Sequence, residues 1–314
     1  MSRRGIILAG GSATRLHPLT LVTSKQLLPV YDKPIIYYPL SAMMLAGIRE
    51  ILIITSPVDQ AAFKHLLGSG KQWGLTFDYA VQPKPDGLAQ AFTIGADFVR
   101  GRPSCLILGD NIVYGHGLTD SLQRANNRLS GATVFGYRVD DPQRYGVIEF
   151  DESGQVLSIE EKPKNPQSNW AAIGIYFYDE DVIDIARKIK PSMRGEYEIT
   201  DLNNFYIREK RLTVELLGRG FAWFDAGTHD SLLEAAEFVR VLQHRQGQLV
   251  AAPEEIAFHS GWLTADELKA VAHALGKTQY GRRLLDNLPD DKCASSSQWT
   301  RTEKSSRSSV KFGE

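Results

Sequence analysis

The sequence predicts an α/β fold: a three-layer sandwich with a mostly parallel central sheet and helices at the C-terminal end. Three observations carry the prediction. Short apolar runs alternate with helix-like segments through the first half, the pattern of parallel strands joined by crossover helices. The runs Ile6–Ala9, Ile51–Thr55 and Cys105–Leu108 are almost continuously apolar, as strands covered on both faces are. Polar or glycine-containing turns follow these runs, where ligands of open α/β sheets bind.

Taken in order, Ile6–Ala9 is the first strand and Leu40–Gly47 reads as a helix. Ile51–Thr55 is the next strand. Ser56-Pro57 then suits a helix start, because Ser56 can cap free N–H groups and Pro57 fits the first turn. Gly68 ends that helix. Thr76–Val81 alternates as a strand, and a helix is expected from Asp86-Gly87 to about Val99. Cys105–Leu108 is a buried strand, Leu118–Leu129 a helix and Thr133–Arg138 a strand. In the second half, Val147–Phe150 and Val156–Glu160 flank Asp151-Glu-Ser-Gly154, a hairpin signature. Ala172–Tyr178 is rich in β-branched and aromatic residues and reads as a strand. Helices from Asp179 to about Lys188 and over Glu198–Arg208 precede a strand at Leu212–Leu217. From Thr228 to about Arg245, Leu232, Ala235, Ala236, Val239 and Leu242 share one side of an amphipathic helix. Further helices fall around Ala265–Ala274 and Gln279–Leu285.

Composition excludes several function classes. A chain of 314 residues can bury a full core, and 43% hydrophobic with 23% charged content is ordinary for a globular protein. A net charge of -1 argues against a nucleic-acid or membrane-surface partner. No apolar run has the length of a membrane span, and Met1–Arg4 leads into too short an apolar run for a signal peptide. Two cysteines, Cys105 and Cys293, make no disulfide framework, so a reducing cytoplasm is expected. Cys105 sits in an apolar run and reads as a small buried hydrophobe. From Pro289 onward, Asp290-Asp291 and a Ser-rich run bury little apolar surface, and disorder is the expectation for 289–314.

The organising stretch is Leu8-Ala9-Gly10-Gly11-Ser12-Ala13-Thr14-Arg15-Leu16, with Lys25 following in Ser24-Lys-Gln-Leu-Leu-Pro29. Glycines let backbone N–H groups approach an anion, and Arg15 adds a fork matched to phosphate oxygens. The local reading is a triphosphate cradle. It lacks the Gly-Lys-Ser/Thr closure of a P-loop and is not a G-x-G-x-x-G fingerprint. A common Gly-Gly turn after a strand remains the alternative on residues alone.

This stretch resembles the signature of the sugar-1-phosphate nucleotidylyltransferases. The likeness continues through Val81-Gln-Pro-Lys-Pro-Asp-Gly-Leu-Ala-Gln-Ala, Leu108-Gly-Asp-Asn, Arg144-Tyr-Gly-Val, Glu160-Glu-Lys-Pro, Arg194-Gly-Glu-Tyr-Glu-Ile-Thr-Asp and Trp223-Phe-Asp-Ala-Gly-Thr-His-Asp. It spans roughly residues 3 to 285. Where the family usually has glycine this chain has Ala13. The resemblance implies a Rossmann-like three-layer sandwich with an inserted sugar-binding β/α subdomain. It divides the chain into a catalytic domain over 1–227, with its sugar side at about 140–217, and a helical region over 228–288.

It further implies in-line attack of glucose 1-phosphate on dTTP, with Mg²⁺, giving dTDP-glucose and pyrophosphate, a first step toward dTDP-rhamnose and related deoxysugars. Asp110 and Asp225 each follow a strand. Alone, either suits a cap or a turn, but the matched motifs imply metal ligation. Lys162 lies in a charged run that composition alone leaves on the solvated surface. The family pattern implies that Lys25 and Lys162 neutralise phosphates and that Arg15 meets the departing pyrophosphate. Leu8, Gly10, Gly11, Thr14, Gln82 and Gly87 match nucleotide-binding positions. Gln82 carries a donor and an acceptor for the imide edge of thymine or uracil, and Gly87 would let the backbone approach the base or sugar. The hexose positions are Asn111, Tyr145, Gly146, Glu161 and Arg194. Tyr37-Tyr38 and Trp223-Phe224 read as packing aromatics, and the histidines form no metal-ligand or triad pattern.

UTP or another hexose 1-phosphate, or a non-catalytic nucleotide-sugar sensor, stay open as alternatives. A glycosyltransferase would want an Asp-x-Asp after a strand, which Leu108-Gly-Asp110-Asn111 lacks. The resemblance also implies a homotetramer. A regulatory nucleotide site between subunits would fall near Tyr114, Gly115, His116, Arg219, Glu255 and Ile256.

Overall fold

The computed structural model of the chain describes residues 2–288, so the expectation for the polar tail lies outside the described residues. Strand β1 (Arg4–Ala9) enters a long turn built of three 3-10 segments, Thr14–Leu16, Leu19–Leu21 and Lys25–Leu27. A small hairpin, β2 (Pro29–Val30) and β3 (Lys33–Pro34), leads to helix α1 (Tyr37–Leu45). Then come β4 (Glu50–Thr55), α2 (Gln60–Leu67), β5 (Thr76–Val81), α3 (Gln90–Ile94), α4 (Ala96–Val99) and β6 (Ser104–Leu108). The middle of the chain forms β7 (Ile112–Gly115), α5 (Leu118–Asn127), β8 (Ala132–Arg138), β9 (Gly146–Phe150), β10 (Val156–Glu161) and β11 (Trp170–Tyr178). The rest is α6 (Val182–Ala186), α7 (Ile199–Arg208), β12 (Leu212–Leu217), β13 (Phe221–Phe224) and helices α8 (His229–Gln246), α9 (Pro253–His259), α10 (Ala265–Ala274) and α11 (Gln279–Asp286).

Nine strands share one sheet. β1 lies between β4 and β6, parallel to both, with Ile7 level with Ile53 and Ile107. β5 continues the parallel half beside β4. β11 runs antiparallel to β6 over Ile175–Tyr178 and to β9 at Ala171 and Ala172. Its other edge pairs with β8, to which β12 adds in parallel. The sugar-side strands therefore extend the nucleotide-side sheet rather than building a separate one.

Alternation sets the two cores. Ile7, Ile53 and Ile107 face Met43, Phe63 and Leu67 on one side of the sheet. Ile6, Leu8, Leu52, Ile54 and Leu106 face Phe92, Val182, Leu202 and Tyr206 on the other. Fully burying a side chain of this size contributes about 1.5–3 kcal/mol before cavity effects.

Several element boundaries differ from the expectation. Ser56 Oγ accepts the Asp59 N–H at 3.3 Å, as a cap does, and donates to Asp59 Oδ2 at 2.5 Å, but it closes a turn, and α2 starts only at Gln60. The helix expected to reach Val99 is split at Gly95, where an added Cβ would lie 3.0 Å from the Ala91 carbonyl oxygen. α9 was not foreseen, although Pro253 at its start, with Glu254 and Glu255 in its first turn, signals it.

The unforeseen ribbon of β7 and β13 matters most. Its register pairs Ile112 with Phe224. Asp110-Asn111 immediately precede one strand and Asp225 immediately follows the other. The ribbon thus sets these two ends of the chain side by side.

Candidate active site

Two cavities open beyond the carboxyl ends of the parallel strands, of about 410 Å³ and 480 Å³, and Lys25 lines both. The first takes in Arg15, Asp110, Asn111, Tyr145, Gly146, Glu161, Lys162 and Asp225. The second is walled by the Gly11–Ala13 turn and by Gln82. Most residues matched to sugar, phosphate and metal thus collect on one side, and the glycine turn and Gln82 on the other; Arg194 lines neither cavity.

Lys25 is nearly buried at 8% exposure, yet it is paired. Its Nζ donates to Asp110 Oδ2 at 2.7 Å and to the Asp225 carbonyl at 2.7 Å. Burial of an ammonium is tolerable only with such acceptors. Asp110 Oδ1 accepts from Asn111 Nδ2 at 3.0 Å. Asn111 Oδ1 in turn accepts from Trp223 Nε1 at 2.7 Å and from the Gly174 N–H at 3.1 Å. Gly174 sits where β11 slips register between Ala172 and Tyr176. An added Cβ there would lie 2.7 Å from Leu108 and 2.8 Å from Asn111. The bulge and the missing side chain therefore seat Asn111.

Asp225 Oδ2 takes Arg144 Nη2 at 3.1 Å and the Tyr145 hydroxyl at 3.4 Å, and its Oδ1 accepts the Gly227 N–H at 3.1 Å. Arg144, held also by Asp141 at 2.8 Å, is pushed to still higher pKa and stays charged. Burial and the Asp225 charge push the Tyr145 hydroxyl up to about 12, so it remains a donor near neutral pH. Tyr145 also packs edge-on against Trp223, with centroids 4.9 Å apart. The Arg15 guanidinium leans over the same turn: a Cβ added at Gly227 would lie 3.2 Å from its Nη2.

Asp110 and Asp225 offer hard oxygen donors on one cavity, beside a lysine that shares both their segments. Among the described residues no third carboxylate, histidine or cysteine completes a protein cage. That donor set fits Mg²⁺, which takes one or two carboxylates and fills its remaining positions with water and substrate phosphates.

On the sugar side, Lys162 has φ 47°, in the left-handed region, while its N–H donates to the Tyr145 carbonyl at 2.9 Å. Its Nζ stands 3.7 Å from Glu161 Oε1. Arg194 reaches Glu161 at 3.5 Å, Glu198 at 3.3 Å and Glu196 at 3.0 Å. Burial raises the Glu161 carboxyl above the usual carboxylate range, aided by Glu198 and opposed by Lys162 and Arg194. Gly146 is needed for space: a Cβ there would lie 3.1 Å from Thr200 and 3.4 Å from Glu161 Oε2.

On the nucleotide side, Gly11 has φ 106° and open space around it, and the exposed Thr14 and Arg15 form the turn that follows. Ala13 adopts φ 44° and ψ 35°, a left-handed conformation that glycine takes more readily. Gly10 is pressed by Gln82, whose Oε1 would lie 2.9 Å from an added Cβ. Two matched residues are also tied into the packing. Leu8 is buried inside β1, its carbonyl accepting the Gly109 N–H at 2.9 Å. Gly87 turns its missing side chain toward the protein: a Cβ would meet the Tyr197 backbone at 2.4 Å.

A separate cavity of about 250 Å³ gathers Tyr114, Gly115, Glu255 and Ile256 between α1, β7 and α9. His116 and Arg219 are not among its lining. The sequence singled out neither Arg144 by role nor Gly174, and it read Trp223 as packing without its hydrogen bond to Asn111. Their signal is faint: an arginine inside a matched motif, an aromatic two residues before Asp225, and a glycine within a strand.

Comparison with known proteins places this chain in a family. A family model described as nucleotidyl transferase matches residues 4–241. The chain belongs to the nucleotidyl transferase family. Within it, the chain is similar to proteins named glucose-1-phosphate thymidylyltransferase. That from Xanthomonas campestris pv. campestris is 62% identical over 282 residues, 90% of this chain and 96% of the relative. That from Mycobacterium tuberculosis is 56% identical over 285 residues, 91% of this chain and 99% of the relative. A Bacillus anthracis protein assigned as a glucose-1-phosphate thymidylyltransferase, solved in complex with sucrose, superposes with TM-score 0.71. It is 42% identical and the match covers 76% of this chain and 96% of that one. A UDP-glucose pyrophosphorylase complexed with UDP-glucose superposes with TM-score 0.68 at 25% identity, over 77% of this chain and 100% of that one.

Proposed function

We propose that this chain joins dTTP and glucose 1-phosphate into dTDP-glucose, releasing pyrophosphate, with Mg²⁺ as its ion. The carrying observation is Lys25, whose ammonium stands where the two cavities meet and touches both aspartate segments. A nucleoside triphosphate in the turn-lined cavity and a sugar phosphate in the other would bring their phosphates together there.

The sugar phosphate is anionic near neutral pH, so its oxygen needs no general base. It attacks the α-phosphorus in line; the new P–O bond forms as the bond to the pyrophosphate oxygen breaks, and pyrophosphate leaves with the electron pair. The obstacle is repulsion between anions, so catalysis is positioning plus electrostatic stabilisation. Lys25 neutralises the phosphates at the junction, Lys162 the incoming sugar phosphate and Arg15 the departing pyrophosphate. Asp110 and Asp225 would hold the Mg²⁺, which supplies positive charge to the phosphate oxygens. Gln82 reads the base, beside Gly10 and Gly11. Glu161 accepts from sugar hydroxyls, Asn111, Tyr145 and Gly146 shape the hexose wall, and Arg194 is held at the rim near the sugar phosphate. The protein is read as a cytoplasmic homotetramer, with the groove of Tyr114, Glu255 and Ile256 as an effector site.

Pyrophosphate release with Mg²⁺ and glucose 1-phosphate, compared across dTTP, UTP, CTP, ATP and GTP, tests the reading. Strong release with dTTP, lost on chelation of the metal, is expected. A preference for UTP would change the nucleotide. No release with any nucleotide would overturn the activity.

A further inference from the structure

We infer that Gln90 and Asp86 are positioning residues that fix the polarity of base recognition at Gln82. The inference rests on the reading of Gln82 as the base-contacting residue.

A side-chain amide has two faces, and which one it shows a ligand decides which bases it accepts. Gln82 is 5% exposed and held from behind. Its Nε2 donates to Gln90 Oε1 at 2.7 Å and to the Gly87 carbonyl at 3.2 Å. Gln90 Nε2 in turn donates to Asp86 Oδ2 at 3.4 Å. The direction of this chain is not arbitrary. A carboxylate accepts and never donates, so it takes the amino end of Gln90. That leaves the Gln90 carbonyl for Gln82, which must answer with its own amino end. The Gly87 carbonyl, an acceptor only, demands the same orientation. Two acceptors at fixed places thus turn the Gln82 amide so that Oε1 lies against Gly10, on the side of the nucleotide cavity. No donor among the described residues is recorded on that oxygen.

The site therefore presents a carbonyl. It suits a base whose ring nitrogen carries hydrogen, as in the imide of thymine or uracil. It opposes cytosine, whose corresponding ring nitrogen is an acceptor and would leave two lone pairs facing each other. Sites that hydrogen-bond a substrate N–H discriminate strongly against an analogue lacking it, because the buried partner is left unmet. The relay costs little to build, since Asp86, Gly87 and Gln90 lie on one turn at the start of α3. That turn is clamped by the Tyr197 N–H donating to the Asp86 carbonyl at 2.7 Å.

The test compares kcat/KM for dTTP and dCTP, with glucose 1-phosphate saturating, in the wild type, Gln90→Leu and the double variant Gln90→Glu/Asp86→Asn. Gln90→Leu removes the shorter of the two bonds that orient Gln82, 2.7 Å, and leaves only the 3.2 Å bond to the Gly87 carbonyl to hold the amide. The dTTP KM should rise about tenfold and the dTTP-over-dCTP preference should fall about tenfold, with kcat changed less than about threefold. The double variant Gln90→Glu/Asp86→Asn keeps an acceptor for Gln82 with an amide donor behind it and should hold the preference near wild type. Asp86→Asn lets Gln90 turn over and should shift the preference in the same direction; it also serves if Gln90→Leu does not fold, as judged by its melt. An unchanged preference, or a loss shared equally by both nucleotides, overturns the relay. A wild type that releases no pyrophosphate overturns the proposed reaction instead. The relay is then judged by calorimetric binding of dTDP against dCDP to the same variants, where equal affinities in the wild type would sink it.

Discussion

Lys25 Nζ lies 2.7 Å from Asp110 Oδ2 across 85 residues of sequence. The lysine thus occupies the carboxylate that the proposed function assigns to the metal. Replacing Lys25 by methionine should lower pyrophosphate release by about a hundredfold or more, the scale of losing one charge-stabilising group. Binding of Mn²⁺ to the free protein, followed by electron paramagnetic resonance, should hold or tighten, because Asp110 loses its protein cation. Weaker Mn²⁺ binding would show that Lys25 supports the metal site rather than competing with it.

Asp110→Asn and Asp225→Asn remove the two hard donors while keeping shape. Metal-dependent turnover should disappear in each. The far-ultraviolet circular dichroism should match wild type, since the core is built elsewhere, on the two faces of the sheet. Asp225→Asn should also loosen Arg144 and Tyr145, both of which bond its Oδ2. Near-normal activity in both variants would withdraw the metal assignment.

Lys162 holds a left-handed backbone, φ 47°, in the cavity wall. Such a conformation costs a non-glycine residue roughly 1–2 kcal/mol and persists where the surroundings or the function require it. Lys162→Gly should therefore melt no lower than Lys162→Ala, whereas both should lose rate and sugar-phosphate binding together. If Lys162→Ala kept normal kinetics, the residue would return to the solvated surface.

The parallel half of the fold was legible because β1, β4 and β6 are apolar runs closed by turns and separated by helices, although the order that sets β1 between β4 and β6 was not. Strand ends then located Gly10, Gln82 and Asp110 without any knowledge of contacts. The β7–β13 ribbon was not legible. Each strand has only four residues, and pairing across more than a hundred positions leaves no local signal. Yet this ribbon brings Asp110 to Asp225. At Gly87 the missing side chain also serves packing, since an added Cβ would meet the Tyr197 backbone at 2.4 Å, a contact that residue identity does not announce. Ser56-Pro57 marked the right N–H capping but the wrong start: the Ser56 hydroxyl accepts the Asp59 N–H in a turn, and α2 begins only at Gln60. What the sequence hides in the site is orientation. Arg144 on Asp225 and Gln90 on Gln82 are relations between side chains, and residue identity does not announce them.

Glu161 supplies the pH prediction. Burial raises its carboxyl above the usual carboxylate range, because the charged form loses solvation. It therefore takes up a proton at higher pH than an exposed glutamate as the solution is acidified. A protonated Glu161 is a poorer acceptor for sugar hydroxyls and no longer offsets Lys162 and Arg194. The KM for glucose 1-phosphate should rise on acidification at higher pH than an exposed glutamate would allow, with the KM for dTTP much less affected. The substrate phosphate also takes up a proton on acidification, so the comparison that decides is Glu161→Gln. That variant keeps the substrate's titration and removes the protein's. Its sugar-phosphate KM should start higher near neutral pH and climb less steeply on acidification. Folding follows the same sign: a raised carboxyl favours the folded state at low pH and disfavours it as pH climbs through its titration. Glu161→Gln should thus gain relative stability at neutral pH and lose that advantage in acid. Parallel pH profiles for the two proteins, in KM and in melting temperature, would mean that Glu161 is ionised throughout and plays no part in the acid limb.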